Sequence, residues 1–314
     1  MVDLVGALRA RAQLVRALRS REVSLARRGF GDLDLPRSAT VPGSAWAVML
    51  VRDEEDIVGT TLDHLLAQGM AGIIVADHGS TDHTWQVLRE TATRDDRVHV
   101  LRDAEPGFYQ GAKTSYLARR AFLAGADWVV PVDADEHWYA VDGDLATFFA
   151  NQTAHRTADV VWADMHEVFP AVTDATARPD APVQVETDHG AVAKVAFRAR
   201  PWVWVGEGNH TIRGWSGDRT AALRVLHYQY RSITQFRAKN RRGVEGLSRT
   251  TGLSADVGSH WVEQAAMDED QQQRRWSELV SGSREDFGER ERRARVRVDA
   301  PGRWSTWDPR GELR

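Results

Sequence analysis

The segment Trp128-Val129-Val130-Pro131-Val132-Asp133-Ala134-Asp135-Glu136 reads as an apolar strand that delivers two carboxylates, one residue apart, at its C-terminal end. Hard divalent cations take oxygen ligands, and Mg²⁺ uses one or two carboxylates while keeping the rest of its shell for water and substrate phosphate. Asp133-Ala134-Asp135 supplies that chemistry; the other reading of a paired-acid loop is a solvated turn. This strand is the fourth of a series. Short runs at Ala45 to Val51, Gly72 to Ala76, Arg97 to Leu101 and Trp128 to Val132 alternate with helical periodicity near 55–67, 82–93 and 112–124. Strands of this length joined by helical crossovers predict an α/β fold, a mostly parallel, Rossmann-like sheet with helices on both faces. Ligands of such a sheet bind beyond the carboxyl ends of its strands. Those ends carry Arg52, Asp53 and Glu54, then Asp77 to Asp82, then Asp133 to Glu136.

Around this series the pattern changes. Residues 3–28 place Leu4, Leu8, Val15, Leu18 and Leu25 near one face of a basic amphipathic helix. Docking on the main domain is its simplest use, and contact with a membrane surface or a partner is the other. A linker from Gly29 to Ser44 completes an N-terminal unit of residues 1–44. After residue 150, strands are expected near 158–164, 183–200 and 222–228, with a Pro-rich loop at 170–182 and a helix near 232–246. The remainder, 251–314, is expected to be a helical extension, with the charged stretch 284–297 a solvated helix or partly disordered.

Composition narrows the function classes. With 42% apolar and 27% charged residues in 314, the chain is of the ordinary globular type. No cysteine is present, which removes disulfides, thiolate nucleophiles and Cys-ligated metal centres. A net charge of −4 argues against nucleic acid as the main partner. Only three of the 41 basic residues are lysines, an excess of arginine attributed here to genome composition. No run reaches the roughly 18 apolar residues of a spanning helix, and no signal-peptide core is visible, so a cytoplasmic location is expected.

A second motif, Asp77-His78-Gly79-Ser80-Thr81-Asp82, again ends a strand in an acid. Asp82 reads as a helix N-cap, whereas Asp77 stands where a ligand would lie and could accept the imide hydrogen of uracil. These motifs, with Met49-Leu50-Val51-Arg52-Asp53-Glu54-Glu55, Gly125-Ala126-Asp127-Trp128 and the later His227-Tyr228-Gln229-Tyr230-Arg231-Ser232, Gln235-Phe236 and Lys239, occur in order over about 45–245. Together they resemble the family 2 glycosyltransferases, inverting enzymes of the A-type glycosyltransferase fold, in the branch whose acidic motif reads Asp-Ala-Asp-Glu.

The resemblance implies a catalytic domain over 45–250, with a nucleotide-sugar half at 45–140 and an acceptor half at 141–250. It implies that Arg52 and Glu54 border the nucleotide, that Asp77 contacts the base, and that Asp133, with Ala134 beside it, faces ribose or metal. Asp135 would coordinate the Mn²⁺ or Mg²⁺ bridging the diphosphate of the donor, a nucleoside diphosphate sugar most simply linked to UDP. His78 departs from the Asp or Asn common at its position, which opens the question of uridine preference. Lys113 lies where relatives use a basic residue against the nucleotide; an exposed helix-start lysine is the other reading. His227, then His210, are the choices for a third metal ligand.

Inverting transfer in one displacement needs a base on the acceptor side, which leaves Asp164, Glu167, Asp188, Glu207 and His210. Glu207 leads, because Gly206 and Gly208 allow close backbone approach and unusual dihedrals. Asp164, at the end of an expected strand, is next. The acceptor, whether glycan, lipid carrier, small natural product or carrier-protein-tethered group, leaves no signature. Rival readings are a catalytically silent nucleotide-sugar or carbohydrate-binding module and a haloacid dehalogenase type phosphatase, whose first Asp would be a nucleophile. A nucleotidyltransferase would want a Gly-rich basic loop where Arg52-Asp53-Glu54-Glu55 stands.

Overall fold

Alternation of apolar side chains within each strand decides which helices cover which face of the sheet. In β1 (Ala45–Val51) and β2 (Gly72–Asp77), Ala47, Met49, Ile73 and Val75 pack with Val58, Leu62 and Leu65 of α2 (Val58–Ala67) and Leu88 of α3 (Thr84–Arg94). The intervening Val48, Ile74 and Ala76 pack with Leu117, Ala118 and Ala121 of α4 (Gln110–Leu123). This period of two is what a sheet buried on both faces requires. The structure, a computed structural model, describes residues 15, 20–31, 33–35, 37–155, 158–190, 192–201, 203–213, 218–250, 258–283 and 294–313.

A central parallel sheet is formed by β3 (Val98–Arg102), β2, β1 and β4 (Trp128–Pro131), in the spatial order β4-β1-β2-β3. Beyond β4 the sheet continues through β8 (Ala193–Arg198), β6 (Val160–Pro170), β7 (Val183–Glu186) and β10 (Arg295–Val298), each antiparallel to its neighbour. A hairpin-like pair, β5 (Glu136–Ala140) with β9 (Asp218–His227), joins through β9, which runs parallel to β6. Helix α5 (Leu145–His155) covers the first face with Phe148 and Phe149. Gly72 is required by close approach, since a Cβ there would meet the Trp46 ring at 2.4 Å.

Several expectations shift. The strand expected at 158–164 runs on to Pro170, so Asp164 is mid-strand rather than terminal. The single strand expected at 183–200 is two, because Asp188-His189-Gly190 turns the chain between β7 and β8. The C-terminal extension contains α7 (Ser259–Ala265) and α8 (Glu269–Ser281) as expected, but then adds β10. Residues 284–293 of the charged stretch lie outside the described residues. Those that follow are neither helical nor disordered: Arg-Val-Arg-Val alternation suits a sheet edge, with Val298 buried and the Arg295 guanidinium 3.5 Å from the Phe169 ring centre.

Of the N-terminal helix, α1 (Arg21–Gly29) is described, capped by the Ser20 hydroxyl, which accepts the Val23 N–H. It buries Ala26, and Phe30 stacks on Tyr116 of α4 at 5.1 Å. Residues 3–14 and 16–19 lie outside the described residues. Among the described residues no helix is long and apolar enough to cross a membrane.

Trp128 joins the two halves of the sheet to α5. Fully buried, it donates from Nε1 to Thr153 Oγ1 at 3.0 Å and carries the Arg198 guanidinium over its ring at 4.4 Å. Trp128→Ala should therefore cost about 3–5 kcal/mol of unfolding free energy, read as a lowered urea midpoint at unchanged slope.

Candidate active site

Val51 and Asp77 are register partners at the ends of β1 and β2, and the strand-end loops open there into a cavity of about 610 Å³. Its acidic floor is the turn between β4 and β5. Thr61 donates to the Ala134 carbonyl at 2.6 Å, Tyr228 N–H to the Asp135 carbonyl at 2.7 Å and Glu136 N–H to the Asp133 carbonyl at 3.1 Å. The backbone is thus held before any ligand enters, and the three carboxylates keep fixed directions.

Gathering carboxylates in a dry site is costly unless each is paired. Lys194 of β8, 3% exposed, donates to Asp133 and to the Gly208 carbonyl, each at 2.8 Å, and forms an ion pair with Glu136 at 2.6 Å. Asp133 also accepts from Gln110 at 3.1 Å and Asn209 at 3.0 Å. Lys239 of α6 (Ile233–Ser248) pairs with Asp135 at 2.6 Å, with the Arg231 guanidinium 3.6 Å away. Arg231 is itself buried and clamps Glu54 and Asp56. Burial opposes the Asp135 charge, yet Lys239 and His227 outweigh it and hold this carboxyl well below the usual range. Glu136 differs: burial dominates over Lys194 and lifts it to about 7.

His227, at the end of β9, lies between two acids. Its Nδ1 is 3.0 Å from Glu167 and its Nε2 is 3.6 Å from Asp135. Burial disfavours its cation, but the two carboxylates prevail and raise it to about 10. A carboxylate fixing one imidazole nitrogen while the other faces the site is the arrangement that supports metal-ligating histidines. The Asp135–His227 pair thus fits a divalent ion as two protein ligands. Among the described residues no group of three or more His, Asp or Glu is arranged to hold one, so further ligands would come from phosphate and water.

Another wall of the cavity is a short 3₁₀ turn, Glu207–Asn209. Gly208 adopts φ +70°, and a Cβ at Gly206 would meet Thr211 Oγ1 at 2.2 Å, so both flanking glycines are needed. Glu207 Oε1 accepts the Gly111 N–H at 3.1 Å, whereas Oε2 is buried without a hydrogen-bond partner among the described residues. Burial raises this carboxyl above its ordinary value, the Gly111 hydrogen bond opposing.

Residues 46–163 match glycosyl transferase family 2. The matched stretch, under half of the chain, runs from β1 into β6 and includes the acidic turn. Among curated proteins none matches the sequence. Similar solved structures include S. aureus TarS in complex with UDP, at 13% identity over 71% of this chain and 70% of that one, TM-score 0.38. GalNAc-T7 with UDP, GalNAc and Mn²⁺ is 14% identical over 80% of this chain and 57% of that one, TM-score 0.38. The mannosyltransferase PcManGT from Pyrobaculum calidifontis, with GDP-Man and Mn²⁺, is 20% identical over 56% and 47%, TM-score 0.31.

The cavity brings together Arg52, Glu54, Asp133, Ala134, Asp135, Glu207, His210 and His227 of the residues singled out from sequence, and Glu167 with them. Asp77, Lys113, Asp164 and Asp188 do not line it. Asp77 is fully buried, its carboxylate ion-paired with Arg102. Lys113 is buried rather than exposed, because it neutralises Asp103 at 2.6 Å behind His78. Asp164 pairs with Arg224 at 2.8 Å, and Asp188 is exposed beyond β7. His210 donates from Nδ1 to the Ala193 carbonyl at 3.0 Å, and burial, aided by Lys194, lowers it to about 4. Lys194, Gln110 and Asn209 were not anticipated. The signal for Lys194 was lysine's rarity: all three lysines of the chain bind carboxylates in or just behind this site.

Lys194→Met would leave Asp133 and Glu136 facing each other unpaired. A loss of about 3–5 kcal/mol is expected in chemical denaturation, with much of it recovered when Glu136→Gln is added.

Proposed function

We propose that this chain is a glycosyltransferase of the A-type fold and the Asp-Ala-Asp-Glu branch. It would transfer a hexosyl or N-acetylhexosaminyl group, with inversion, from a nucleoside diphosphate sugar, UDP-linked by preference, to a hydroxyl or amine acceptor. The observation that carries the reading is the strand-end cavity in which the acidic turn 133–136 meets Lys194, Lys239 and Arg242. The family match over the same turn supports it.

In the proposed reaction the acceptor oxygen or nitrogen attacks the anomeric carbon, and the bond from that carbon to the diphosphate oxygen breaks with its electron pair leaving on the diphosphate. The acceptor proton passes to Glu207 Oε2, which has no hydrogen-bond partner among the described residues and whose raised basicity suits a general base. Lys239 and Arg242 line the cavity as cations for the departing charge. Lys194, already hydrogen-bonded to Asp133 and Gly208 and ion-paired with Glu136, fixes the acidic turn instead. Asp135 and His227 would hold Mn²⁺ or Mg²⁺, which as a Lewis acid stabilises the leaving group when bound. Arg52 and Glu54 border the nucleotide. A phosphatase reading is disfavoured, because Asp133 already accepts from Lys194, Gln110 and Asn209 and is poorly disposed to act as a nucleophile.

Donor turnover is measured by nucleotide release across a panel of nucleotide sugars, with acceptor products identified by mass spectrometry; no release with any donor would reject the proposal. Asp135→Asn is expected to lower kcat by about 10²–10³ and to weaken Mn²⁺ binding in calorimetry. Glu207→Gln should lower kcat by about 10²–10⁴ with donor KM nearly unchanged. Because the Glu207 carboxyl is raised, the wild-type rate should fall on acidification at a pH above the ordinary value of 4.5. The Gln variant should lose that acid limb, and wild-type turnover in it would remove Glu207 from the role.

A further inference from the structure

Three cations surround Asp135, and they differ in how firmly they are held. Arg231, buried, binds Glu54 and Asp56, donates to the Tyr228 carbonyl at 3.1 Å and stands 3.6 Å from Asp135 Oδ2. His227 is fixed on Glu167 at 3.0 Å, with Nε2 3.6 Å from Asp135 Oδ1. Lys239 makes the close contact, Nζ to Oδ2 at 2.6 Å, and among the described residues this is its one hydrogen bond. Its side chain is nevertheless 26% exposed, while that of Asp135 is 4% exposed. An ammonium on a flexible four-carbon stem, wet at one end and held by one acceptor, is the group of the three that can leave.

The carboxylate itself cannot move aside. Its backbone is pinned by the Tyr228 N–H on the Asp135 carbonyl, and the neighbouring Ala134 carbonyl by Thr61. A divalent ion and an ammonium on one oxygen repel each other strongly where water is scarce, so either excludes the other. Helix α6 also stays in place, because Phe236 and Asn240 on either side of Lys239 are buried. What moves is therefore the lysine side chain alone. Arg242, three residues on, lines the cavity from the same face of α6, with Asp53 no closer than 3.8 Å. An ammonium leaving Asp135 stays on that face, where an anionic diphosphate offers it a new acceptor.

We propose that Lys239 is a resident counter-ion that closes Asp135 to metal until the diphosphate of the donor draws the ammonium away. Metal loading and donor binding are then coupled through one side chain. The inference rests on the nucleotide-sugar reading and on the metal-holding role of Asp135 given above, and adds to them an autoinhibitory contact. Because such coupling is reciprocal, Mn²⁺ must strengthen nucleotide binding by the factor by which the nucleotide strengthens Mn²⁺ binding.

The test is calorimetric titration of the full chain with Mn²⁺, without nucleotide and with saturating UDP, or GDP where UDP does not bind, corrected for the metal–nucleotide complex. In the wild type the nucleotide should tighten Mn²⁺ about tenfold or more. Lys239→Met keeps the stem without the charge, so Mn²⁺ should bind the nucleotide-free variant about tenfold or more tightly than the wild type, with little gain in the nucleotide complex. The coupling factor falls accordingly. A lysine that only neutralises the site from a fixed position opposes Mn²⁺ equally in both states, so an equal gain with and without nucleotide would overturn the inference. So would no gain in the nucleotide-free variant, or no coupling in the wild type. Lys239→Gln is the second variant should Lys239→Met fail to fold by circular dichroism, and the wild-type coupling is read in either case. Any of these failures with nucleotide release from a sugar donor intact leaves the nucleotide-sugar reading standing; no binding of UDP or GDP together with no release overturns both.

Discussion

Carboxylates can be concentrated in a desolvated cavity only if cations are buried with them. Here Lys194 and Arg231 are each almost wholly buried and each touches more than one acid. Lys194 comes from β8, Arg231 from the segment after β9, and the acids from the loops after β1 and β4. The charge pairing therefore stitches the parallel half of the sheet to the antiparallel half, and the site exists only where the two meet.

That stitching also fixes the groups proposed for catalysis. Gln110 donates to Asp133 while accepting the Gly208 N–H at 2.9 Å, and Asn209 donates to the same Asp133. The turn bearing Glu207 is thus tied to the acidic turn through two side chains and Lys194. Groups held in this way need little reorganisation when charge develops, which is the main source of electrostatic advantage in such sites.

The parallel half was legible in the sequence because its determinants are local. β1 spans the run Ala45 to Val51, and the other parallel strands agree to within a residue at each end. The acidic turn announced itself by position, at the end of an apolar strand. β5 was hidden because Glu136-His137-Trp138-Tyr139-Ala140 is buried on both faces and mixes polar with aromatic residues, giving neither alternation nor an apolar run. The surroundings of Asp164 and Lys113 were not legible because their partners, Arg224 sixty residues on and Asp103 ten residues back on the other side of the β3–α4 connection, are brought near by the fold and by no spacing rule.

β10 bears on how the molecule avoids itself. Without it, β7 would end the sheet with an unpaired row of N–H and C=O groups, a template for joining a second copy edge to edge. Pairing Arg295–Val298 on β7 moves the boundary outward to a four-residue strand carrying two arginines, one of them exposed. A short rim with an exposed arginine disfavours edge-to-edge pairing with its own image, because like charges would meet there.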